Sequence, residues 1–290
     1  MSIIAKAIKF SHILVATDLS RPSLWSLPYV SAIARQYAST IYIGHVLPMG
    51  VFTAARPQSF DVIEKECREH AQEKLDRYST QIKEPGLEVQ TLLAEGDVGI
   101  VIPDWIKQHH LDLIAVGTTG RSGVRKLVLG SAAEEIIRTA DCPVLTVGRA
   151  FSGHRSVAFR RILCAIDFSE DSLLAASYAL SLAVHHGARL ILLTVIDEKA
   201  ENESKSSFAQ RLNELISNKS KPACELEILV ASGNPAKRIL DISNEHFVDL
   251  IALGVRGAGG LARAASHFGS TAHDIIVGSS CPVITARASK

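Results

Sequence analysis

Nowhere in the 290 residues does an uninterrupted apolar run approach the roughly 18 residues of a membrane-crossing helix, so no membrane partner is expected. The stretch from Met1 to Lys9 meets lysine too soon to serve as a secretory leader. Cysteine is scarce: Cys67, Cys142, Cys164, Cys224 and Cys281 are odd in number and show no C-x-x-C spacing, which points away from a disulfide scaffold and toward a reducing, cytoplasmic setting. Charge of neither sign is in excess, with 31 basic against 30 acidic residues, which gives no electrostatic reason to expect a nucleic acid as partner. Catalytic signatures are missing too. Gly117-Thr-Thr-Gly-Arg-Ser-Gly123 lacks the Gly-Lys-Ser/Thr ending of a Walker loop, and His109-His110 and His185-His186 are adjacent rather than four apart, so neither pair shares a helix face for a metal.

What the chain does contain is written twice. Phe10 to Ser20 aligns with Phe159 to Ser169 at an offset of 149, Gly96-Asp97 with Gly233-Asn234 and Gly117 with Gly254 at 137, and Asp141 to Val147 with Ser280 to Ala286 at 139. The first copy therefore carries a longer middle and the second a longer glycine loop. A period near 140 residues is a whole domain rather than a solenoid unit. The reading is domain 1 over 1–148, a linker over 149–159 and domain 2 over 160–290.

Each copy alternates apolar strands with helices. Ile13–Ala16, Ile41–Val46, Glu88–Leu93, Leu111–Val116 and Val144–Val147 are the short β-rich runs of a parallel sheet buried on both faces. Glu170 to His186 has helical spacing at Leu173, Ala176, Leu180 and Ala183, with Ser169 as its cap and Gly187 as its stop. Pro28 should kink the matching helix of the first copy or move its start. Gln58–Ile82 and Glu203–Ser217 read as the second helices, with an extra loop over Pro48–Pro57. This pattern argues for an α/β fold of two tandem, doubly wound, five-stranded parallel sheets, in which ligands lie beyond the carboxyl ends of the strands where strand order reverses.

Two features fall there in each copy. Asp18 and Asp167 follow their first strands, and Gly117-x2-Gly120-x9-Gly130-Ser131 follows the fourth strand of the first copy. Glycines let backbone approach a ligand and take φ > 0, and a helix opening at Gly130-Ser131 would present free N–H groups to an anion. Plainer readings stand beside these: Ser131-Ala-Ala-Glu134 is also a capping box, the aspartates could only shape turns, and Val46 and Val195 could only pack strand ends. Gly257-Ala-Gly259-Gly-Leu-Ala262 imitates a dinucleotide fingerprint but follows a fourth strand rather than a first. Cys142 and Cys281 precede proline at strand starts and read as packing, and His45 closes a buried strand with no nucleophile beside it.

Asp18 after strand one, His45-Val46 closing strand two, the glycine spacing with Ser131, and Cys142-Pro-Val together resemble the universal stress protein family in its tandem form, over almost the whole chain. The resemblance implies a strand order of 3-2-1-4-5, a pseudo-two-fold between the copies, and ATP as cofactor, with magnesium only as the nucleotide's counter-ion. Carried over, it gives Thr17 and Asp18 to the ribose or adenine side, the Val46 backbone to the adenine edge, and Gly117, Gly120, Gly130, Ser131 and Ala132 to the phosphates. In the second copy Asp167, Val195, Gly254, Gly257, Gly269 and Ser270 correspond, but Gly257 and Gly269 are separated by 11 residues instead of 9. One nucleotide per chain is therefore expected.

The expected role is a stress-response regulator that binds an adenine nucleotide and works by conformation or partner binding. The alternatives are a slow ATPase or autokinase using Thr118, Thr119 or Ser122, and a scaffold holding no nucleotide. The fifth strands are expected to pair within the chain, and a homodimer is left open.

Overall fold

The computed structural model describes residues 8–48, 60–118, 129–148, 157–196, 201–217, 224–257 and 269–288. The first copy runs β1 (His12–Ala16), a 3-10 turn (Pro22–Leu24), α1 (Leu27–Tyr37), β2 (Thr40–Leu47), α2 (Phe60–Ile82), β3 (Glu88–Glu95), α3 (Val98–His109), β4 (Leu113–Gly117), α4 (Ser131–Thr139) and β5 (Val144–Val147). The second runs β6 (Arg161–Ala165), α5 (Glu170–His186), β7 (Arg189–Ile196), α6 (Glu201–Ser217), β8 (Leu226–Ser232), α7 (Pro235–Glu245), β9 (Leu250–Gly254), α8 (Ser270–Gly278) and β10 (Val283–Ala286). Ser169 caps α5 by accepting from the Ser172 N–H, and Gly187 ends it at φ 62°. Pro28 does not kink α1. It sits in the first turn, where its missing N–H costs nothing, and the 3-10 turn takes up the preceding residues. The loop over 49–57 and most of the linker lie outside the described residues.

Two five-stranded sheets meeting at their fifth strands were expected; the strands form one continuous ten-stranded sheet. Its order is β3-β2-β1-β4-β5-β10-β9-β6-β7-β8. All neighbours pair in parallel except at the centre, where β5 and β10 run antiparallel with Leu145 opposite Ile284. The reason lies in these two strands. Every residue of each is buried, and an unpaired edge this apolar would recruit another chain. Two threonines reinforce the seam reciprocally: Thr146 Oγ1 donates to the Val283 carbonyl at 3.0 Å, and Thr285 Oγ1 to the Val144 carbonyl at 3.3 Å.

Helices cover both faces. One apolar cluster packs α1, α2, α5 and α6 on one side, through residues such as Ile33, Leu75, Ala176 and Leu212, and a second packs α3, α4, α7 and α8 on the other, through Trp105, Ile137, Ile239 and Ile275. Each cluster includes residues from both copies, so the halves share their cores. Further contacts join them: Phe10 stacks on Tyr178 with ring centroids 5.8 Å apart, Gln36 Nε2 donates to the His185 carbonyl at 3.1 Å, and Arg287 Nη1 donates to the Arg138 carbonyl. Because the central pair is antiparallel, the carboxyl ends of the two sets of parallel strands face opposite edges of the molecule.

Candidate functional site

In the first copy β1 lies between β2 and β4, so strand order reverses between β1 and β4 and a crevice opens beyond their carboxyl ends. The turn leaving β1 is tightly built. Thr17 is buried; its N–H donates to the Gly44 carbonyl at 2.8 Å and its Oγ1 lies 2.6 Å from Ser23 Oγ. Leu19 takes φ 63°, a left-handed conformation that a branched residue rarely adopts, and its N–H reaches Thr17 Oγ1 at 2.9 Å. Asp18, half-buried, lies in that turn at the carboxyl end of β1, and its Oδ1 accepts the Ser20 N–H at 3.0 Å. The turn-shaping role considered for this aspartate is thus present, and it fixes the carboxylate. Behind it, buried His45 directs Nδ1 to the Thr17 carbonyl at 2.7 Å, which locks the end of β2 to the end of β1. Val46, half-buried, follows directly in β2 and pairs with Ala94.

The glycines divide into two kinds. A Cβ on Gly117 would stand 2.8 Å from the Pro22 carbonyl oxygen and 3.0 Å from Ser23 Cα, so this glycine admits the 3-10 turn against the end of β4. Gly130 differs: among the described residues the nearest atom to a Cβ there is the Thr118 carbonyl oxygen at 3.8 Å. It is the N-cap of α4 at φ −65°, ψ 144°, so the anticipated φ > 0 is not what glycine supplies at this position. The capping box is also absent, because Ser131 is the first helical residue rather than the cap. Having no side chain, Gly130 leaves the first-turn N–H groups of α4 without the kind of cap that Asp97, Ser169 and Asn234 give α3, α5 and α7. Ser131 and Ala132 lie exposed on that first turn, and the Gly130 N–H is held by the Thr118 carbonyl at 3.0 Å. Gly120, Thr119 and Ser122 lie outside the described residues.

The second copy repeats this frame with different fastenings. Phe168 takes φ 63°, and Asp167 Oδ1 accepts the Ser169 N–H at 3.0 Å. Thr194 substitutes for His45, donating to the Ile166 carbonyl at 2.9 Å, and Val195 follows it, half-buried. Gly257 and Asp167 face each other across the crevice: a Cβ on that glycine would stand 3.1 Å from Asp167 Oδ2. Gly254 packs against the start of α5, 2.7 Å from the Ser172 nitrogen by the same measure. Gly269 caps α8 at φ −60° with Ser270 exposed after it, yet its own Cβ space is tighter, 3.1 Å from the Val255 carbonyl oxygen.

One constellation has no counterpart in the first copy, where Pro22 and Thr119 stand at the matching positions. Buried Asp171 receives Arg256 Nε at 2.9 Å, Arg256 Nη2 at 2.7 Å, the Arg256 N–H at 2.9 Å and the Ala288 N–H at 2.9 Å. Burial alone would raise its pKa; the Arg256 guanidinium and the two backbone N–H groups outweigh that and hold it below the usual carboxylate range. Arg256 lies inside the glycine loop, so the loop is tied to α5 by the protein's own anion. Sequence reading missed this pair because its members are 85 residues apart.

Among the described residues no group of three His, Cys, Asp or Glu side chains could hold a metal. Burial, helped by Asp112 and Asp141, pushes the Cys142 thiol up to about 12, and burial likewise raises Cys281 and Cys164, which disfavours the reactive thiolate at these three positions. No helix among the described residues is long and apolar enough to cross a membrane. A groove of about 640 Å³ lies along the β3 edge between Arg68 on α2 and His109 on α3, and neither Gly117 nor Gly130 lines it.

Fold and loop together define a tandem α/β protein in which each half places an aspartate and a glycine-opened helix at the reversal point of a parallel sheet. The family model for the universal stress protein family matches residues 9–148 and 158–287, and the chain belongs to that family. A universal stress protein of Methanocaldococcus jannaschii is 31% identical over 139 residues, covering 48% of this chain and 82% of that protein, and one of Bacillus subtilis is 29% identical over 146 residues, covering 48% and 99%. Over the whole length, the crystal structure of a universal stress protein from Archaeoglobus fulgidus superposes with a TM-score of 0.77 at 25% identity, covering 97% of this chain and 100% of that one.

Proposed function

We propose that the chain is a stress-response regulator whose first domain holds one ATP, with the nucleotide acting as a ligand that sets conformation or partner binding rather than as a substrate in rapid turnover. The observation that carries this reading is the start of α4. Among the described residues Gly130 leaves 3.8 Å of clearance where a side chain would be, and the helix behind it opens without a side-chain cap from its N-cap residue, with the positive end of its dipole forward. Among the described residues packing gives no reason for glycine there, whereas close approach of a phosphate does. The Ser131 and Ala132 N–H groups then meet the phosphates, joined by the loop carrying Gly120 and seated by Gly117. Asp18, fixed by the Leu19 turn, accepts ribose hydroxyls, and the Val46 backbone borders the adenine. Magnesium accompanies the nucleotide only as its counter-ion.

The second domain is the weaker site. Its loop carries Arg256, already engaged by Asp171, and Gly269 has less clearance than Gly130. Calorimetric titration with ATP should give about one nucleotide per chain; two equivalent sites would refute the assignment. Mass spectrometry of the purified, denatured protein should release adenine nucleotide, and steady-state turnover should be negligible against the amount retained.

A further inference from the structure

The Asp171 cluster does more than secure its own loop. Its fourth donor, the Ala288 N–H, belongs to the segment leaving β10, and the Arg256 Nη2 returns a bond to the Ala288 carbonyl at 2.7 Å. One residue earlier in that segment, Arg287 crosses into the first copy and donates to the carbonyl of Arg138. Arg138 is in the last turn of α4, where carbonyls have no partner within the helix. A guanidinium there satisfies one of them and complements the negative end of the dipole. The opposite end of α4 is Gly130-Ser131.

An unbroken chain of contacts therefore runs from the second glycine loop to the first: Arg256, Asp171, Ala288, Arg287, Arg138, then α4. With nine residues, α4 is only about 14 Å long, so its last turn and its first are separated by little more than one turn, and loosening one end reaches the other. The geometry points to a regulatory strap: the ion pair in the second domain holds α4 of the first domain in register, and ligands or conditions that open that pair weaken anion binding at Gly130. This rests on the nucleotide reading only for the identity of the anion. By reciprocity, nucleotide at the first site should tighten the second loop.

The strap is tested in the full chain with two variants, Asp171→Ala and Arg287→Ala, neither of which touches the first crevice. Arg287 is half-buried beyond the end of β10, outside both apolar clusters, and its removal should leave both domains folded; Asp171→Ala tests transmission from the far end. Hydrogen exchange of the α4 amides is the first readout, and both variants should speed it about threefold or more, the size expected from losing a cationic contact at a helix end. ATP affinity by calorimetry is the second, with a loss of similar size expected. Unchanged α4 exchange in a folded Arg287→Ala protein overturns the strap, whether or not ATP binds. Faster exchange with undiminished ATP affinity overturns its regulatory role. A wild-type protein that binds no ATP sinks the nucleotide reading instead, and leaves the strap to be judged by exchange alone.

Discussion

Replacing glycine by alanine at positions 117 and 130 should separate a residue that the fold needs from one that the proposed nucleotide needs. At Gly117 the new methyl would meet backbone at 2.8 and 3.0 Å, which no side-chain rotation can relieve, so the 3-10 turn must shift. Overpacking of that kind costs about 1–3 kcal/mol, offset by about 0.4–1 kcal/mol from the stiffer unfolded chain, for a net loss of roughly 1–2 kcal/mol. With the cores of both halves shared across 290 residues, that lowers Tm by roughly 2–3 °C. At Gly130 the methyl has 3.8 Å of clearance and φ −65° suits alanine. Losing a glycine N-cap costs at most about 1 kcal/mol and the unfolded-state gain nearly cancels it, so stability should stay within about 0.5 kcal/mol of wild type. Affinity for ATP should nevertheless fall about tenfold, near 1.4 kcal/mol, because in the proposed site the methyl would stand where a phosphate oxygen sits. Thermal melts and calorimetric titration read both quantities on the same samples. A folded Gly130→Ala protein with wild-type affinity, or a Gly117→Ala protein with unchanged Tm, would refute the division.

Two further outcomes are expected. Asp171→Asn should destabilise the second half by about 2–3 kcal/mol, less than a fully buried pair because the Arg256 side chain is 28% exposed. Since the Asp171 pKa is lowered in the folded state, its contribution is complete above the ordinary carboxylate value of about 4 and disappears as pH falls through the depressed one, so the difference in Tm between wild type and variant should be constant near neutrality and shrink in acid. Leu145→Asp places a charge opposite Ile284 in a fully buried seam and should expose the central strands; dye binding and a less cooperative melt would report it, and an unaltered single transition would contradict the shared core.

Much of this was legible in local patterns. The bounds of α5 follow from Ser169, Gly187 and the apolar spacing between them, because caps and periodicity are local signals and the tertiary structure does not oppose them. The places of Asp18 and Asp167 just after their first strands, and of Gly117 and Gly130 at the end of β4 and the start of α4, were legible for the same reason. What escaped depends on partners distant in sequence. Nothing near Leu19 or Phe168 marks a left-handed residue, since the usual glycine is missing and the conformation is held by the Thr17 hydroxyl in one copy and the surrounding turn in the other. Gly117 looks like Gly130 in the sequence, and only the nearness of Pro22 tells them apart. The capping box at Ser131 failed by one residue, the scale on which helix starts are hardest to read. The joining of both copies into one sheet rests on Leu145 pairing with Ile284, 139 residues later in the chain (284 − 145).

Joining the two copies covalently has a consequence that the paired positions make visible. In a dimer of identical subunits every substitution is made in both sites at once, so a residue that improves one function must be tolerated by the other. Here Pro22 faces Gly117 while Asp171 faces Gly254, and His45 braces one turn where Thr194 braces its twin. The fused chain is free of the symmetry requirement: one crevice can keep a clear approach to its helix while the other surrenders its loop to an internal carboxylate, and each can change without altering its counterpart.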